Sequence, residues 1–389
     1  MIARIVIPII IVILFTDVCI DRLFLRKALR RRAVRIVWWV QTAFVCCLSL
    51  FVASARNFAP DSLALFNGFL LVLVLWLLPK LVLTICSLLG WGHCKYHKTK
   101  TNWGVYVGFL AALILVAASL YAYTTGFDKV TVRRVEFFSK DLPKAFDGYT
   151  IVQFSDVHVG TYSGSRKEVL RTVVDSINAQ HPDMIAFTGD LQNMQPSELA
   201  SHWRTLSLLH APDGVFSVLG NHDYAYYIDA PDSVRELNCR EMSRIQKRMG
   251  WTLLKNESSV VRRNGDSIFV AGMEYGGLSK KVPPHGDLGK TLNGIDQSKS
   301  FILMLQHDPT SWRLNILPHS KVQLTLSGHT HGGQIEIFGL SPASLSYREW
   351  GGMYYEGARA LNVSTGVGGF VPFRIGCPGE IVVITLRSR

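Results

Sequence analysis

The stretch Ser327-Gly-His-Thr-His-Gly-Gly-Gln-Ile335 follows directly on the run Gln323-Leu-Thr-Leu326. A short apolar, β-branched run bounded by turn residues predicts a buried strand, and the glycine after it permits a sharp turn. His329 and His331 are therefore expected just beyond the carboxyl end of a strand. In open α/β sheets that end faces the functional crevice, where residues remote in sequence converge.

Four earlier runs end in the same way, because each is followed by side chains that can bind a metal ion. Together the five strand ends carry Asp156 and His158, Asp190, Asn221 followed by His222 and Asp223, His307, and His329 with His331. Carboxylates, imidazoles and one amide oxygen suit two close divalent cations that share a bridging carboxylate, rather than a closed thiolate zinc site. Glycines at positions 160, 189, 220 and 328 allow the backbone to approach such cations.

Strand-like runs continue to the end of the chain, with two helical segments among them. The predicted strands cover residues 130–138, 149–154, 184–188, 215–219, 267–271, 300–305, 323–326, 360–363 and 380–386, and the predicted helices cover 166–179 and 232–249. This order predicts a layered α/β sandwich rather than a strictly alternating parallel sheet.

The ordered blocks Ser-Asp-x-His, Gly-Asp, Gly-Asn-His-Asp, a single His and Gly-His-Thr-His resemble those of the calcineurin-like metallophosphoesterases. The stretch Gly366-Val-Gly-Gly-Phe-Val-Pro-Phe-Arg374 and the Pro378-Gly-Glu-Ile381 that follows resemble the membrane-anchored bacterial branch of YkuE-like or YaeI-like proteins. The resemblance covers about residues 130–389. It implies the four-layer metallophosphoesterase β-sandwich flanked by helices.

The resemblance also implies roles for the residues in these blocks. One divalent cation is expected on Asp156, His158, Asp190 and His331, and a second on Asp190, Asn221, His307 and His329. Manganese is expected first, with Fe, Zn, Mg or Ni as further possibilities, and two such cations activate a bridging water for attack on phosphorus.

Residues beside the ligands are expected to assist. His222 is expected to act as general acid, with Asp223 orienting and polarising it. Arg374 and Tyr224 are weaker candidates for substrate contact, since a structural ion pair for the arginine and simple packing for the tyrosine explain them equally well.

The N-terminal third of the chain is expected to lie in a membrane. Apolar stretches at about residues 2–20, 34–54, 63–90 and 104–124 predict an all-α, four-helix transmembrane region over residues 1–125, followed by the metallophosphoesterase domain at 126–389. The first stretch is the weakest, because it contains Pro8 and Asp17. Lys80, directly after Pro79 in the third stretch, is expected to reach the membrane surface with its long side chain.

Basic residues cluster in two of the three connecting loops, between the first and second stretches and between the third and fourth. These are Arg22, Arg26, Lys27, Arg30, Arg31, Arg32 and Arg35 in one loop and Lys95, Lys98 and Lys100 in the other. Because such residues accumulate on the cytoplasmic side, the catalytic domain is expected to be periplasmic, on a multi-pass protein of the plasma membrane.

The remaining composition excludes one class of partner. Of the 41 Lys and Arg, 13 lie in the first 128 residues, against 4 of the 29 Asp and Glu, so the C-terminal domain is nearly neutral and no nucleic-acid partner is expected. Cys239 and Cys377 either form one disulfide or remain thiols. The sequence leaves the oligomeric state undetermined.

These features favour a membrane-anchored dinuclear phosphoesterase that hydrolyses a phosphate ester or pyrophosphate, with a lipid-linked or envelope-associated substrate. An alternative is a hydrolase like the UDP-2,3-diacylglucosamine pyrophosphatases, which act on a lipid A precursor; that substrate is cytoplasmic and requires the opposite topology. A second alternative is a metal-bound membrane sensor or scaffold without turnover.

Overall fold

The apolar stretches of the N-terminal third form helices in the computed structural model, which describes residues 6–25, 32–55, 60–279 and 281–389. The α-helices of this part are Val6–Ile20, Arg32–Ser54, Pro60–Val72, Leu78–His97 and Trp103–Tyr121. Single π-helical turns follow or join them at Asp21–Leu25, Leu73–Leu77 and Ala122–Gly126. Much of the first predicted basic loop, residues 26–31, lies outside the described residues.

Three described helices are long and apolar enough to cross a membrane, namely Arg32–Ser54, Leu63–His97 and Trp103–Gly126. The third predicted stretch therefore continues past residue 90 to His97. Pro79 does not end it, because the proline lies in the first turn of Leu78–His97 and the π-helical turn Leu73–Leu77 precedes it. A π-helical turn widens the backbone where a proline removes a hydrogen bond.

Lys80 corrects the expectation that this side chain extends to the membrane surface. Its Nζ lies 2.9 Å from Oδ1 of Asp17, and its charge lies over the rings of Trp38 and Trp76. Thr42 donates a 2.7 Å hydrogen bond to the other oxygen of Asp17. A buried, paired carboxylate and ammonium therefore tie three helices of this unit together.

The C-terminal part of the chain, Thr124–Arg389, is a separate compact unit built on two six-stranded sheets. Its strands are β1 Val130–Ser139, β2 Thr150–Phe154, β3 Met184–Phe187, β4 Val215–Ser217, β5 Thr252–Leu253, β6 Glu257–Arg263, β7 Asp266–Gly272, β8 Ile302–Leu305, β9 Leu324–Ser327, β10 Gly352–Glu356, β11 Arg359–Val363 and β12 Gly379–Ser388. One sheet has the order β1-β12-β2-β3-β4-β5 and the other β10-β11-β9-β8-β7-β6. β2 to β5 run parallel, as do β7, β8, β9 and β11.

Apolar residues from the inner faces of both sheets form the central core, among them Ile151, Ile384 and Leu303. The outer faces are covered by helices. Lys167–Asn178 packs on the first sheet, and the turn containing Trp312 packs on the second. The remaining α-helices of this unit are Trp203–Leu206, Asp232–Arg248, Leu288–Thr291 and Leu317–His319.

These layers confirm the predicted α/β sandwich and its flanking helices. Three strands lacked a clear sequence signal. β5 has only two residues, while β6 and β10 lie at the edge of their sheet and carry polar or half-buried residues. Cys239 and Cys377 are both thiols in the structure.

Candidate metal centre

The side chains that can bind a metal ion converge where the carboxyl ends of strands from the two sheets meet. The loops after β2, β3 and β4 of one sheet and after β8 and β9 of the other supply them. Two groups have ligand atoms that all lie within 4.8 Å of one another: Asp156, His158, Asp190 and His331 in one, and Asp190, His307 and His329 in the other. Asn221 joins the second group, since its Oδ1 lies 3.0 Å from His307 Nε2.

Asp190 lies between the two groups. Its Oδ2 is 3.6 Å from His158 Nε2 and 3.3 Å from His307 Nε2, so a single oxygen faces an imidazole of each group. Its other oxygen accepts a 2.8 Å hydrogen bond from the backbone N–H of His222. Asp190 thus has the position that a bridging carboxylate requires.

The backbone at these residues adopts a conformation that few side chains tolerate. Five of the seven predicted ligands have positive φ angles, namely Asp156 (54°), His158 (48°), Asp190 (61°), His329 (74°) and His331 (53°). Each such residue costs about 1–3 kcal/mol and persists only where the surroundings hold it, and this kind of strain collects at functional sites. The strained backbone therefore marks the centre independently of the residue types.

Close backbone packing supports the turns. A Cβ at Gly189, where φ is +100°, would lie 2.6 Å from the backbone nitrogen of Gly220. Only glycine therefore lets the Asp190 turn approach the Asn221 turn this closely.

The histidines differ in their environments. Burial lowers the pKa of His158 well below its ordinary value and lowers the pKa of His331 to about 4. Burial also opposes a charge on His307, but the charge of and hydrogen bond to Asp190, together with the Asp156 carboxylate and the Thr188 carbonyl, outweigh it and raise the pKa of His307 to about 10. His307 Nδ1 lies 2.7 Å from the Thr188 carbonyl, which directs Nε2 toward Asp190 and Asn221.

The residues present fit divalent cations. Both ring nitrogens of the fully buried His158 and Nδ1 of His331 have no hydrogen-bond partner among the described residues. Buried polar atoms are normally satisfied, so such unpaired nitrogens beside carboxylates indicate ligands for a cation.

His222 lies beside the metal groups and is held on two sides. Its Nδ1 lies 2.6 Å from the carbonyl oxygen of Asn193. Its ring stacks on Tyr227 at 4.2 Å between centroids, with 17° between the planes. Tyr227 also accepts a 2.8 Å hydrogen bond from Asn221 Nδ2, so this tyrosine contacts both His222 and a predicted ligand.

Asp223 has different partners from those expected. Its Oδ2 accepts hydrogen bonds from the backbone N–H groups of Gly220 and Asp190, and its Oδ1 accepts from those of Leu191 and Gln192, at 2.9–3.2 Å. The orienting contact to the His222 ring comes instead from the Asn193 carbonyl. We therefore propose that Asp223 ties together the two loops that present Asp190 and Asn221.

Arg374 and Tyr224 are also placed differently from the substrate contacts considered for them. The guanidinium of Arg374 is fully buried, and its two Nη groups donate to backbone carbonyls of Thr365, Gly366, Gly368, Cys377 and Pro378. Tyr224 is buried, donates to Glu274 and stacks on His285. We propose structural roles for both, in place of contact with a substrate.

Two further residues without a predicted role lie at the site. Tyr347 OH lies 2.9 Å from His329 Nε2, and Asp308 Oδ2 lies 3.6 Å from the same nitrogen. Asp308 could have been noticed because it follows a predicted ligand directly. The sequence did not indicate a role for Tyr347, because it follows the Gly-His-Thr-His block at a distance. Only the fold brings its hydroxyl back to His329.

Two family models match the chain. Residues 149–333 match the family described as calcineurin-like phosphoesterase, and residues 3–127 match the one described as probable calcineurin-like phosphoesterase, transmembrane domain. Among curated proteins, the metallophosphoesterase YkuE of Bacillus subtilis (strain 168) is 32% identical over 293 residues, which are 72% of this chain and 94% of that protein.

Relatives are not confined to bacteria. A transmembrane protein with metallophosphoesterase domain from Danio rerio is 30% identical over 287 residues, covering 72% of this chain and 62% of that protein. Among solved structures, a dimetal phosphatase from Danio rerio aligns over 57% of this chain and 88% of its own, with 14% identity and a TM-score of 0.35.

Proposed function

Since the chain belongs to the calcineurin-like metallophosphoesterase family and carries a membrane-spanning region, we propose that it hydrolyses a lipid-linked or envelope-associated phosphate ester or pyrophosphate with two bound divalent cations. The observation that carries this proposal is the position of Asp190, with one oxygen facing both groups of metal-competent residues. A carboxylate shared in this way is what a dinuclear centre needs.

Each of the two groups of residues would form one cation site. Asp156, His158, Asp190 and His331 would hold one cation, and Asp190, Asn221, His307 and His329 the other. When bound, two divalent cations supply a nucleophile from water at neutral pH and stabilise charge on the phosphoryl oxygens. Manganese is the first candidate, because it accepts this mixture of carboxylate, amide and imidazole ligands.

The residues of the chain supply proton transfer and positioning. His222 is the proposed general acid, because its Nδ1 is held by the Asn193 carbonyl and Nε2 is thereby left to protonate the leaving oxygen. Tyr227 keeps the His222 ring in its plane by stacking. Asp223 keeps the two loops at a fixed separation through four backbone hydrogen bonds.

The proposed location is a plasma membrane, with the catalytic unit on the extracytoplasmic side. The basic residues of the connecting loops support that orientation. A reporter fused after residue 389 tests it, since a periplasmic domain predicts activity only from a reporter that functions outside the cytoplasm. Activity of a cytoplasmic reporter would reverse the orientation and favour a UDP-2,3-diacylglucosamine type of substrate.

The decisive experiment uses the full chain in lipid nanodiscs, stripped of metal and resupplied with Mn²⁺. Its turnover is measured on aryl phosphate mono- and diesters, on lipid phosphates and pyrophosphates, and on UDP-2,3-diacylglucosamine. Asp190→Ala should abolish Mn²⁺-dependent turnover, whereas Asp175→Ala, at an exposed surface ion pair, should retain it. A parent protein that binds two Mn²⁺ ions and hydrolyses nothing would contradict the proposal and favour the sensor.

A further inference from the structure

A tight hairpin beside the metal centre carries apolar side chains into the solvent. We call residues 337–345 the apolar hairpin. Ile337 and Leu340 exchange two backbone hydrogen bonds of 3.0 Å, and Phe338 and Gly339 form the turn between them with positive φ angles. Phe338 is fully exposed, Leu345 is 90% exposed and Leu340 is 74% exposed.

The apolar hairpin is fixed to the rest of the unit by polar contacts at its base. Glu336 N–H donates to the Ile375 carbonyl at 2.8 Å, and the hydroxyl of Ser341 donates to the Gly332 carbonyl at 2.6 Å. Ser341 also accepts from the N–H of Ala343 at the start of a short 3-10 turn. Because hydrogen bonds hold the base of the hairpin, the exposed apolar side chains at its tip belong to an ordered surface.

The segment that contains the hairpin begins and ends at the metal centre. His329 and His331 precede it, and Tyr347 follows it and contacts His329 Nε2 at 2.9 Å. Only a few residues therefore separate the apolar hairpin from the predicted metal ligands His329 and His331.

We propose that the apolar hairpin inserts into the surface of the bilayer in which this chain is anchored. No charged residue lies between Glu336 and Arg348. The Nε of Arg348 lies 3.6 Å from Glu349 Oε1, and 75% of the Arg348 side chain stays exposed, as suits a contact with lipid phosphate. Aromatic and aliphatic tips with a basic neighbour are typical of protein segments at the headgroup boundary.

The short connection between the two units supports the bilayer as the surface that the hairpin contacts. Residues 127–129 alone separate the membrane-crossing helix that ends at Gly126 from β1, which begins at Val130. An extended chain covers at most ~3.6 Å per residue, so three residues span at most ~11 Å and keep the start of β1 near the bilayer surface. A second copy of the chain fits less well, because the few apolar side chains of the hairpin fall short of the ~800 Å² per partner of a stable interface.

Photocrosslinking in the full chain tests this proposal. The variant Phe338→p-benzoylphenylalanine is reconstituted into vesicles of phosphatidylethanolamine and phosphatidylglycerol, irradiated and analysed by mass spectrometry. Leu208, an exposed leucine elsewhere in the catalytic unit, carries the same replacement as matched control, and Leu113, exposed on a membrane-crossing helix, carries it as positive control. Lipid adducts are expected at positions 338 and 113 and not at 208.

Three results would overturn the proposal. They are a crosslink from position 338 to a second copy, a crosslink from position 338 to the helices of the same chain in place of lipid, and equal lipid yields at positions 338 and 208. The positive control at position 113 ensures that a lack of adduct at 338 also counts against the proposal.

A second measurement, which rests on the proposed function, links the hairpin to turnover. Phe338→Asp should lower turnover of a lipid phosphate in the same vesicles about tenfold and leave turnover of a soluble aryl phosphate within about twofold, because only the first substrate is reached through the membrane contact. Leu208→Asp should change neither. If the parent protein hydrolyses neither substrate, the proposed function fails while the crosslinking result still decides whether the hairpin contacts lipid.

Discussion

Replacing Asp223 with alanine should destabilise the catalytic unit and weaken metal binding, rather than lower turnover alone. The carboxylate is fully buried and accepts four backbone hydrogen bonds, three from the N–H groups of Asp190, Leu191 and Gln192 and one from that of Gly220. Its removal leaves these N–H groups without acceptors between two loops that carry predicted metal ligands.

The expected magnitude follows from those contacts. A buried donor left unsatisfied costs about 1–3 kcal/mol, so four donors give a range of about 4–12 kcal/mol. Water can enter the space left by the carboxylate and satisfy some of them, so we expect the low end, about 4 kcal/mol. For a unit of this size, a loss of about 4 kcal/mol lowers the melting temperature by about 8–16 °C.

The assay measures thermal unfolding of the full chain in detergent, together with the bound metal by elemental analysis. Asp213→Ala is the control, because it removes an acceptor of one hydrogen bond, the 2.7 Å bond from Tyr149 OH, and should cost about 1 kcal/mol. Asp223→Asn should recover no more than part of the loss, since its NH₂ group would face two of the N–H donors. If Asp223→Ala kept its melting temperature and both metals but lost turnover, a role in polarising His222 would be right and our reasoning wrong.

Three further changes test other contacts. Lys80→Met should destabilise the membrane unit by about 3 kcal/mol or more in mixed-micelle unfolding, because Asp17 stays buried without its ion-pair partner, and adding Asp17→Asn should restore much of the loss. Arg374→Met should lower the melting temperature of the catalytic unit by several degrees, since backbone carbonyls lose buried donors, and an unchanged melting temperature with raised KM would instead indicate substrate contact. Tyr227→Phe should weaken Mn²⁺ binding about tenfold in a metal titration, since Asn221 loses the hydrogen bond that orients it, and an unaltered affinity would contradict that role.

Local patterns in the sequence predicted most of the secondary structure. The strands that carry the site, such as β2 and β9, are short, largely apolar runs followed by glycine or polar residues, and the structure places them within two residues of the predicted bounds. β6 escaped prediction because an edge strand buries only part of its surface and can carry arginines.

The candidate site shows a similar division. The structure brings the seven predicted ligand residues together, because their order behind parallel strands already places them at one edge of each sheet. The residue type alone does not predict the positive φ angles of Asp156 and Asp190, since aspartate tolerates them better than most residues but adopts ordinary conformations at its other described positions. They arise from hydrogen bonds between loops, such as that from His158 N–H to the Asp190 carbonyl.

The sequence by itself determined the membrane-crossing helices, the layered α/β unit and the types of side chain offered to metal ions. These properties depend on hydrophobic periodicity and on ligand chemistry, which neighbouring residues already contain. Only the tertiary structure decided that Asp223 binds backbone amides, that Lys80 pairs with Asp17, that Arg374 holds a loop and that the Phe338 side chain is fully exposed. Each of these outcomes depends on which distant residue lies within a few ångströms, and that distance is set by how the sheets, loops and helices pack.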